Sequence, residues 1–213
     1  MRQKLYRFLI LCLFALSAQA HARDKSDRLN FTYDGHTRTI YYYIPDDAGE
    51  KPVVVLLHGS GRDGTEMLKA WKSLATSEHF ILVAPNSSNS QVWDSRYDPP
   101  AFLHAVVDQI NALHPIDPQR IYLFGHSAGG VYALALALID SRYYAATAIH
   151  AGALAAQSDH LFTYPTRSMP IAIWVGDHDA FFSIDRVNAT TALFEKHGFH
   201  VQLNVLPNHS HDY

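Results

Sequence analysis

The chain has 213 residues, of which 48% are hydrophobic, 17% charged and 12% aromatic, and its formal net charge is −3. This composition excludes a disordered chain, a collagen and a coiled coil, and the length suits one domain. The 17 basic residues do not outnumber the 20 acidic ones, so we expect no nucleic-acid partner. The single cysteine, Cys12, excludes a disulfide framework and a thiolate zinc site.

The first residues have the layout of a secretory signal peptide. Three positive residues precede an uncharged run over 8–16, and Ala18 and Ala20 form a small-residue cleavage signature. The run is too short to span a bilayer comfortably, and the alternative is an amphipathic first helix. We predict a signal peptide over 1–20 and one domain over 21–213. The protein would be secreted or periplasmic, without a stable membrane anchor after cleavage.

Strand and helix patterns then alternate along the chain. Two strand patterns flank Asp34-Gly35, a hairpin signal. The predicted strands cover 29–33, 37–44, 53–57, 80–84, 120–124, 145–150, 171–175 and 201–206. The predicted helices cover 64–77, 99–113 with Asp98 as the N-cap, 127–139 and 183–197. This order predicts an α/β fold, with a mostly parallel twisted sheet, an N-terminal antiparallel hairpin and helices on both faces. The irregular stretch over 151–169 suits a short substrate-facing loop.

One serine lies at the junction between a predicted strand and a predicted helix. The segment GHSAG over 125–129 fits the pattern G-x-S-x-G. A tight turn there strains the serine backbone and exposes its hydroxyl, and the free N–H groups of the following helix face any negative charge that forms. The alternative is a glycine-rich turn with an incidental serine. We predict that Ser127 is a nucleophile and that the N–H of Ala128 is one oxyanion donor.

A serine nucleophile needs a base and a group that orients the base. On a parallel sheet these groups come from loops after later strands. Asp177 and Asp179 follow the strand over 171–175, and His209 and His211 follow the strand over 201–206. The order serine, acid, histidine is therefore available, but these residues alone leave open which acid and which histidine take part.

The same loops also allow a metal site. The side chains that could converge there are Asp177, His178, Asp179, His209 and His211. Nitrogen and oxygen ligands suit zinc. These loops are, however, the ones in which the acid and the histidine of a catalytic triad must lie. The sequence also has no H-E-x-x-H helix. We therefore expect no metal.

Four segments in order carry a family resemblance, namely VVVLLHGSG, PQRIYLFGHSAGG, WVGDHD and LPNHSHDY. With them the chain resembles the α/β-hydrolase superfamily, and within it the esterases related to polyhydroxybutyrate depolymerases and feruloyl esterases. The resemblance implies the three-layer α/β-hydrolase fold. It also implies cleavage of a small-molecule or polymeric carboxylic ester through an acyl-enzyme, without a cofactor.

The resemblance also narrows the candidate site. In such esterases the acid stands three residues after the glycine that ends its strand, which implies Asp179, and the histidine precedes a polar–aromatic pair, which implies His211. The residue after His-Gly donates the second oxyanion N–H, which implies Ser60. Trp93 follows the fourth strand, where it would form a wall of the substrate pocket or anchor the loop.

The chain departs from the family pattern at its end. Related hydrolases carry a final helix after the catalytic histidine, and the sequence continues for only two residues beyond His211. This departure raises the alternative of a non-catalytic binding protein on a hydrolase scaffold. The same triad would also serve a peptidase, a thioesterase or a lactone hydrolase, because acyl transfer is alike in each.

Overall fold

The computed structural model describes residues 25–46 and 49–213. The predicted signal peptide therefore lies outside the described residues. The strands are β1 Lys25–Tyr33, β2 His36–Ile44, β3 Lys51–Leu57, β4 Ile81–Pro85, β5 Ile116–His126, β6 Ala146–His150, β7 Ile171–Gly176 and β8 Val201–Leu206. The helices are α1 Gly64–Glu78, α2 Pro100–Asn111, α3 Ala128–Ile139 and α4 Ile184–Lys196. Within the described ranges, no helix is both long enough and apolar enough to cross a membrane.

The eight strands form one sheet in the order β1-β2-β4-β3-β5-β6-β7-β8. β1 pairs antiparallel with β2, and β2 pairs antiparallel with β4, while every pair from β4 to β8 is parallel. The prediction of a mostly parallel sheet with an N-terminal antiparallel hairpin is confirmed. Because the parallel strands point the same way, the loops after β3, β5, β7 and β8 meet at one edge.

Helices cover both faces of the sheet, as predicted. Val53, Val55 and Leu57 of β3 lie in a buried cluster with side chains from α2, α3 and α4. The alternate residues Val54 and Leu56 lie in a second cluster with α1. A strand that is buried on both faces needs a continuous aliphatic sequence, which explains the unbroken run of β3.

The observed starts of two strands each differ by four residues from the predicted ones, 29 against 25 and 120 against 116. β1 begins at Lys25 rather than at residue 29, because its pairing with β2 continues to the partner pair Lys25 and Ile44. β5 begins at Ile116 rather than at residue 120, because Ile116 pairs with Lys51 before a register shift in the β3–β5 ladder. Such boundaries depend on long-range pairing rather than on local pattern.

The face of the sheet that α1 covers is incompletely covered beyond β5. Residues 207–213, which follow β8, contain no helix. A shallow and mainly apolar groove of about 300 Å³ lies over this part of the sheet, and Tyr122, Ala148 and Ala172 contribute to its lining. Among the described residues, these three side chains are therefore only partly buried. The irregular stretch before β7 contains a 3₁₀ helix, Ser158–Thr163.

Asp98 does not cap α2, and that prediction is wrong. The N-cap position belongs to Pro99, which offers no side-chain bond. The carboxylate of Asp98 is fully buried and lies 2.6 Å from the guanidinium of Arg38 on β2. It also accepts hydrogen bonds from the Ser88 N–H at 2.8 Å and from the Asp94 N–H at 3.3 Å. A buried charge must be paired, so this contact outweighs local capping.

The ion pair ties β2, the loop after β4 and the start of α2 together, since the guanidinium of Arg38 also lies 3.6 Å above the ring of Phe102.

Asp98→Ala should lower the free energy of unfolding by about 3–5 kcal/mol, because it leaves a buried cation without its partner. Urea unfolding monitored by circular dichroism measures the change. Asp117→Ala, which removes an exposed partner of Arg120, is the matched control and should shift the midpoint far less. Equal shifts in both variants would contradict the importance of the buried pair.

Candidate active site

Ser127 occupies a strained turn between β5 and α3. Its backbone has φ 53° and ψ −117°, and its N–H donates to the carbonyl of His150 at 3.0 Å. The two flanking glycines leave room for this turn. A Cβ on Gly125 would overlap the backbone of Gly129, and a Cβ on Gly129 would overlap the carbonyl group of Leu57. The G-x-S-x-G pattern is therefore required here by backbone-to-backbone contact.

The loops after β7 and β8 are in close backbone contact at Gly176. A Cβ on Gly176 would overlap the carbonyl of His209, so only glycine fits this position. The N–H of Asp177 donates to the carbonyl of Leu206 at 3.1 Å, and the N–H of His178 donates to the carbonyl of His209 at 3.0 Å. These bonds fix the acid-bearing loop against the histidine-bearing loop.

The structure brings Ser127, His211 and Asp179 into one hydrogen-bonded chain. Nε2 of His211 lies 2.9 Å from Oγ of Ser127, and Nδ1 of His211 lies 2.9 Å from Oδ2 of Asp179. The carboxylate of Asp179 is fully buried, whereas the ring of His211 is 22% exposed. These distances are within the range over which a base takes a proton from a nucleophile.

Asp179 is held in its charged form. Its Oδ1 accepts hydrogen bonds from the N–H groups of Phe181 at 2.8 Å and Phe182 at 2.9 Å. Burial on its own would raise the pKa of Asp179, but the bonds from His211 and from these two N–H groups outweigh burial and lower that pKa below its usual value. A charged acid can orient the imidazole and stabilise its protonated form.

The two alternative residues point elsewhere. The carboxylate of Asp177 accepts a hydrogen bond from the N–H of His209 at 3.3 Å and is 38% exposed. Nε2 of His209 lies 2.8 Å from the carbonyl of Asp212. Neither side chain contacts Ser127 through any bond that the described residues form, and the chain of hydrogen bonds to Ser127 contains His211 and Asp179 instead.

Ser60 lies in the loop after β3 and lines the same cavity as Ser127. A Cβ on the preceding Gly59 would lie 3.4 Å from Cβ of Ser127, so this loop rests directly against the serine. The N–H of Gly61 donates to the Ser90 carbonyl at 2.8 Å, and the N–H of Arg62 donates to the Gly59 carbonyl at 3.1 Å. These bonds shape the turn around Ser60. Ala128 begins α3, where the first N–H groups have no partner within the helix.

Trp93 supports this loop and does not border the cavity above Ser127. Its side chain is buried, and its Nε1–H donates to the carbonyl of His58 at 2.9 Å. His58 is also buried, and its Nε2 accepts from the N–H of Ser87 at 3.1 Å. Burial is the main reason that the pKa of His58 is lowered, so the ring is neutral and can accept this bond. These contacts are those of a loop anchor, and the role of Trp93 in a substrate pocket stays a prediction.

A cavity of about 650 Å³ opens above Ser127 and His211. One wall is formed by residues of the loop after β3 and of α1, and the opposite wall is formed by aromatic rings and the last residues of the chain. Its lining includes Ser60, Arg62, Glu66, Met67, Ala70, His126, Phe181, Asp212 and Tyr213. The cavity is large enough for an acyl group or a small alcohol beside the serine hydroxyl.

Sequence reasoning missed one feature of the site, a pair of histidines behind the serine. Nδ1 of His126 lies 3.2 Å from Nδ1 of His150, and the ring of His126 lies 5.1 Å from the ring of His211. Burial first, and the neighbouring imidazoles second, lower the pKa of both His126 and His150 to about 4. The G-x-S-x-G pattern contains His126, but its partner lies 24 residues away on β6, and no local signal joins them.

The described residues contain no group of three histidine, cysteine, aspartate or glutamate side chains placed to hold a metal ion. Of the five metal-site candidates, Asp179 and His211 bond to each other, whereas the backbone N–H of His209 bonds to the Asp177 side chain. The exposed ring of His178 lies 3.9 Å from the Asp177 carboxylate. The five side chains therefore form separate contacts and not one cluster of ligands.

Residues 54–207 match the model of the Alpha/beta hydrolase family. Poly(3-hydroxybutyrate) depolymerase of Ralstonia pickettii is 26% identical over 211 residues, which cover 82% of this chain and 43% of that protein. Feruloyl esterase B of Neurospora crassa is 29% identical over 127 residues, which cover 53% of this chain and 43% of that protein. The chain spans less than half the length of the curated relatives that it matches.

Solved structures share the fold at low sequence identity. The crystal structure of S-formylglutathione hydrolase FrmB from Staphylococcus aureus superposes with a TM-score of 0.75 at 16% identity. The match covers 90% of this chain and 93% of that chain. At this identity the likeness establishes the architecture of the sheet and helices.

Two neighbouring glycines test the backbone contact at Ser127. Gly129→Ala should lower the free energy of unfolding by about 3 kcal/mol, because the added methyl group overlaps the Leu57 carbonyl. Gly130→Ala is the matched control, since its added methyl group would lie 3.2 Å from its nearest neighbour and alanine favours the helix. Thermal unfolding followed by circular dichroism measures both variants. Similar losses in the two variants would contradict the requirement for close contact at Gly129.

Proposed function

This chain belongs to the alpha/beta hydrolase family, and we propose that it is a serine esterase that cleaves carboxylic esters through an acyl-enzyme on Ser127. The observation that carries this proposal is the hydrogen-bonded chain from Asp179 through His211 to Ser127, with both distances at 2.9 Å and the serine facing a cavity. In this arrangement Nδ1–H of His211 donates to Asp179, and the Ser127 hydroxyl donates to Nε2. Nε2 is then free of a hydrogen and can accept the serine proton.

In the acylation step, Oγ of Ser127 attacks the ester carbonyl carbon while its proton moves to Nε2 of His211. The carbonyl oxygen becomes negative, and the N–H groups of Ser60 and Ala128 are proposed to donate to it. The tetrahedral adduct then expels the alcohol oxygen, which takes the proton from Nε2. The products of this step are the free alcohol and an ester between the acyl group and Ser127.

In the deacylation step, water takes the place of the alcohol. Nε2 of His211 accepts a proton from the water as its oxygen attacks the acyl carbon, and the same proton returns to Oγ of Ser127 when the acid leaves. Asp179 remains charged throughout and stabilises the imidazolium in both halves of the reaction. The steps need only groups that the chain supplies and one water molecule.

Two observations favour an ester over other acyl donors. The curated relatives include a feruloyl esterase and a poly(3-hydroxybutyrate) depolymerase, and both names refer to esters. The cavity wall contains Phe181 and Met67, which suit an organic acyl or alcohol group. The proposed substrates are small-molecule or polymeric esters. Export is part of the proposal, since the pattern over 1–20 is that of a cleaved signal peptide.

Hydrolysis of short p-nitrophenyl esters tests the proposal. Ser127→Ala should lower kcat by at least about 10⁴-fold, because the oxyanion donors alone sustain only residual catalysis. Ser210→Ala, directly before His211 but bonded to Asp212, is the matched control and should retain activity. A panel of thioesters, amides and lactones, assayed with the same two variants, distinguishes an esterase from the other acyl-transfer activities.

Equal ester hydrolysis by the wild-type protein and Ser127→Ala would exclude Ser127 as the nucleophile. Faster Ser127-dependent cleavage of amides or thioesters than of esters would exclude the esterase assignment. It would leave Ser127, His211 and Asp179 as the proposed catalytic residues.

A further inference from the structure

The acyl-transfer steps do not use the histidine pair behind Ser127. The 3.2 Å distance between Nδ1 of His126 and Nδ1 of His150 is that of a hydrogen bond between two rings. Both pKa values are lowered to about 4, mainly by burial, so both rings are neutral near pH 7. In a neutral pair, one Nδ1 carries the shared hydrogen and the other accepts it.

The second nitrogen of His150 indicates which ring donates. Nε2 of His150 is buried and has no hydrogen-bond partner among the described residues. If Nδ1 of His150 were the acceptor, its hydrogen would have to sit on Nε2, where it would be a buried N–H without a partner. Orphaned buried N–H groups are rarer than under-satisfied acceptors. This tendency favours Nδ1–H of His150 as the donor and Nδ1 of His126 as the acceptor.

This direction fixes the tautomer of His126, whose own hydrogen must then sit on Nε2. Nε2 of His126 forms no hydrogen bond to the described residues. It is also not among the buried side-chain atoms of these residues that lack a hydrogen-bond partner. The ring lines the cavity beside Ser127. A methyl group on Gly59 would lie 3.0 Å from Cδ2, the carbon next to Nε2, so this edge of the ring faces the loop of Ser60.

We propose that Nε2–H of His126 donates a hydrogen bond to an oxygen of the substrate acyl group, and so selects acyl chains that carry an ether, hydroxyl or carbonyl oxygen near the scissile ester. This inference rests on the proposed esterase function and names the substrate class of that same site. A donor fixed by a buried partner discriminates well, because a hydrocarbon chain would leave its N–H without a bond.

Three other polar side chains in the cavity lining are already engaged. The guanidinium of Arg62 pairs with the carboxylate of Glu66 at 2.5 Å, and the hydroxyl of Ser60 donates to the side chain of Gln91 at 2.9 Å. Phe181 and Met67 offer only apolar surface. His126 is the residue directly before the nucleophile, so its donor lies close to the reacting carbonyl.

Paired substrates test the selection. p-Nitrophenyl methoxyacetate and p-nitrophenyl butyrate have acyl chains of equal length, and differ by an ether oxygen in place of a methylene group. The ratio of their kcat/KM values should fall roughly three- to tenfold in His126→Phe, which keeps a ring and removes the donor. His126→Gln restores a side-chain N–H and should return the ratio towards the wild-type value. His160→Phe, the same substitution at an exposed position on the 3₁₀ helix, should leave the ratio unchanged. Differences in intrinsic reactivity between the two esters cancel when the ratios are compared.

Nitrogen-15 NMR of the imidazoles in the wild-type protein tests the tautomer independently of any variant. The expected result is a protonated Nε2 and an unprotonated Nδ1 in His126, with the opposite pattern in His150. A hydrogen on Nδ1 of His126 would overturn the inference, as would an unchanged substrate ratio in His126→Phe even when both esters react more slowly. If the wild-type protein cleaved neither ester, the proposed function would fail, whereas the NMR result would still decide the direction of the histidine bond.

Discussion

The site depends on direct contact between backbones at three glycine positions. Gly125 closes the turn around Ser127 against Gly129, and Gly129 brings this turn against the end of β3. Gly176 brings the loop of Asp179 against the loop of His211. At each position, a Cβ would overlap backbone atoms of a neighbouring segment. Because packed backbone cannot give way as a flexible side chain can, these contacts hold three distant parts of the chain in a fixed arrangement.

The loop after β3, which contains Ser60, has a different kind of support, which consists of hydrogen bonds from the loop after β4. Trp93 donates to the carbonyl of His58, and the N–H of Ser87 donates to the ring of that same residue. The loop after β4 is in turn held by the buried pair of Arg38 and Asp98. The position of Ser60 beside Ser127 therefore depends on a layer of buried polar contacts that reaches back to β2. In the proposed mechanism, an N–H of Ser60 held in this way would not need to move during the reaction.

Much of the architecture could be predicted from local patterns, because aliphatic runs, glycines and helix signals act over a few residues. The order of serine, acid and histidine loops also followed from strand order. The choice between Asp177 and Asp179 required resemblance to a family, since the two carboxylates are two residues apart and differ only in where their side chains point. Asp98 was misassigned, the role of Trp93 was left open and the pairing of His150 was missed, all for one reason. Each has its partner 24 to 60 residues away, and no spacing rule relates such positions.

Labelling with a fluorophosphonate, followed by mass spectrometry of the intact and digested protein, tests the central claim most directly. We expect a single adduct on Ser127, within the peptide that contains 125–129, and much slower labelling of His211→Gln. That variant removes the base that lies 2.9 Å from the hydroxyl. A protein that stays unlabelled, or that is labelled on another serine such as Ser60, would contradict the claim that Ser127 is an activated nucleophile.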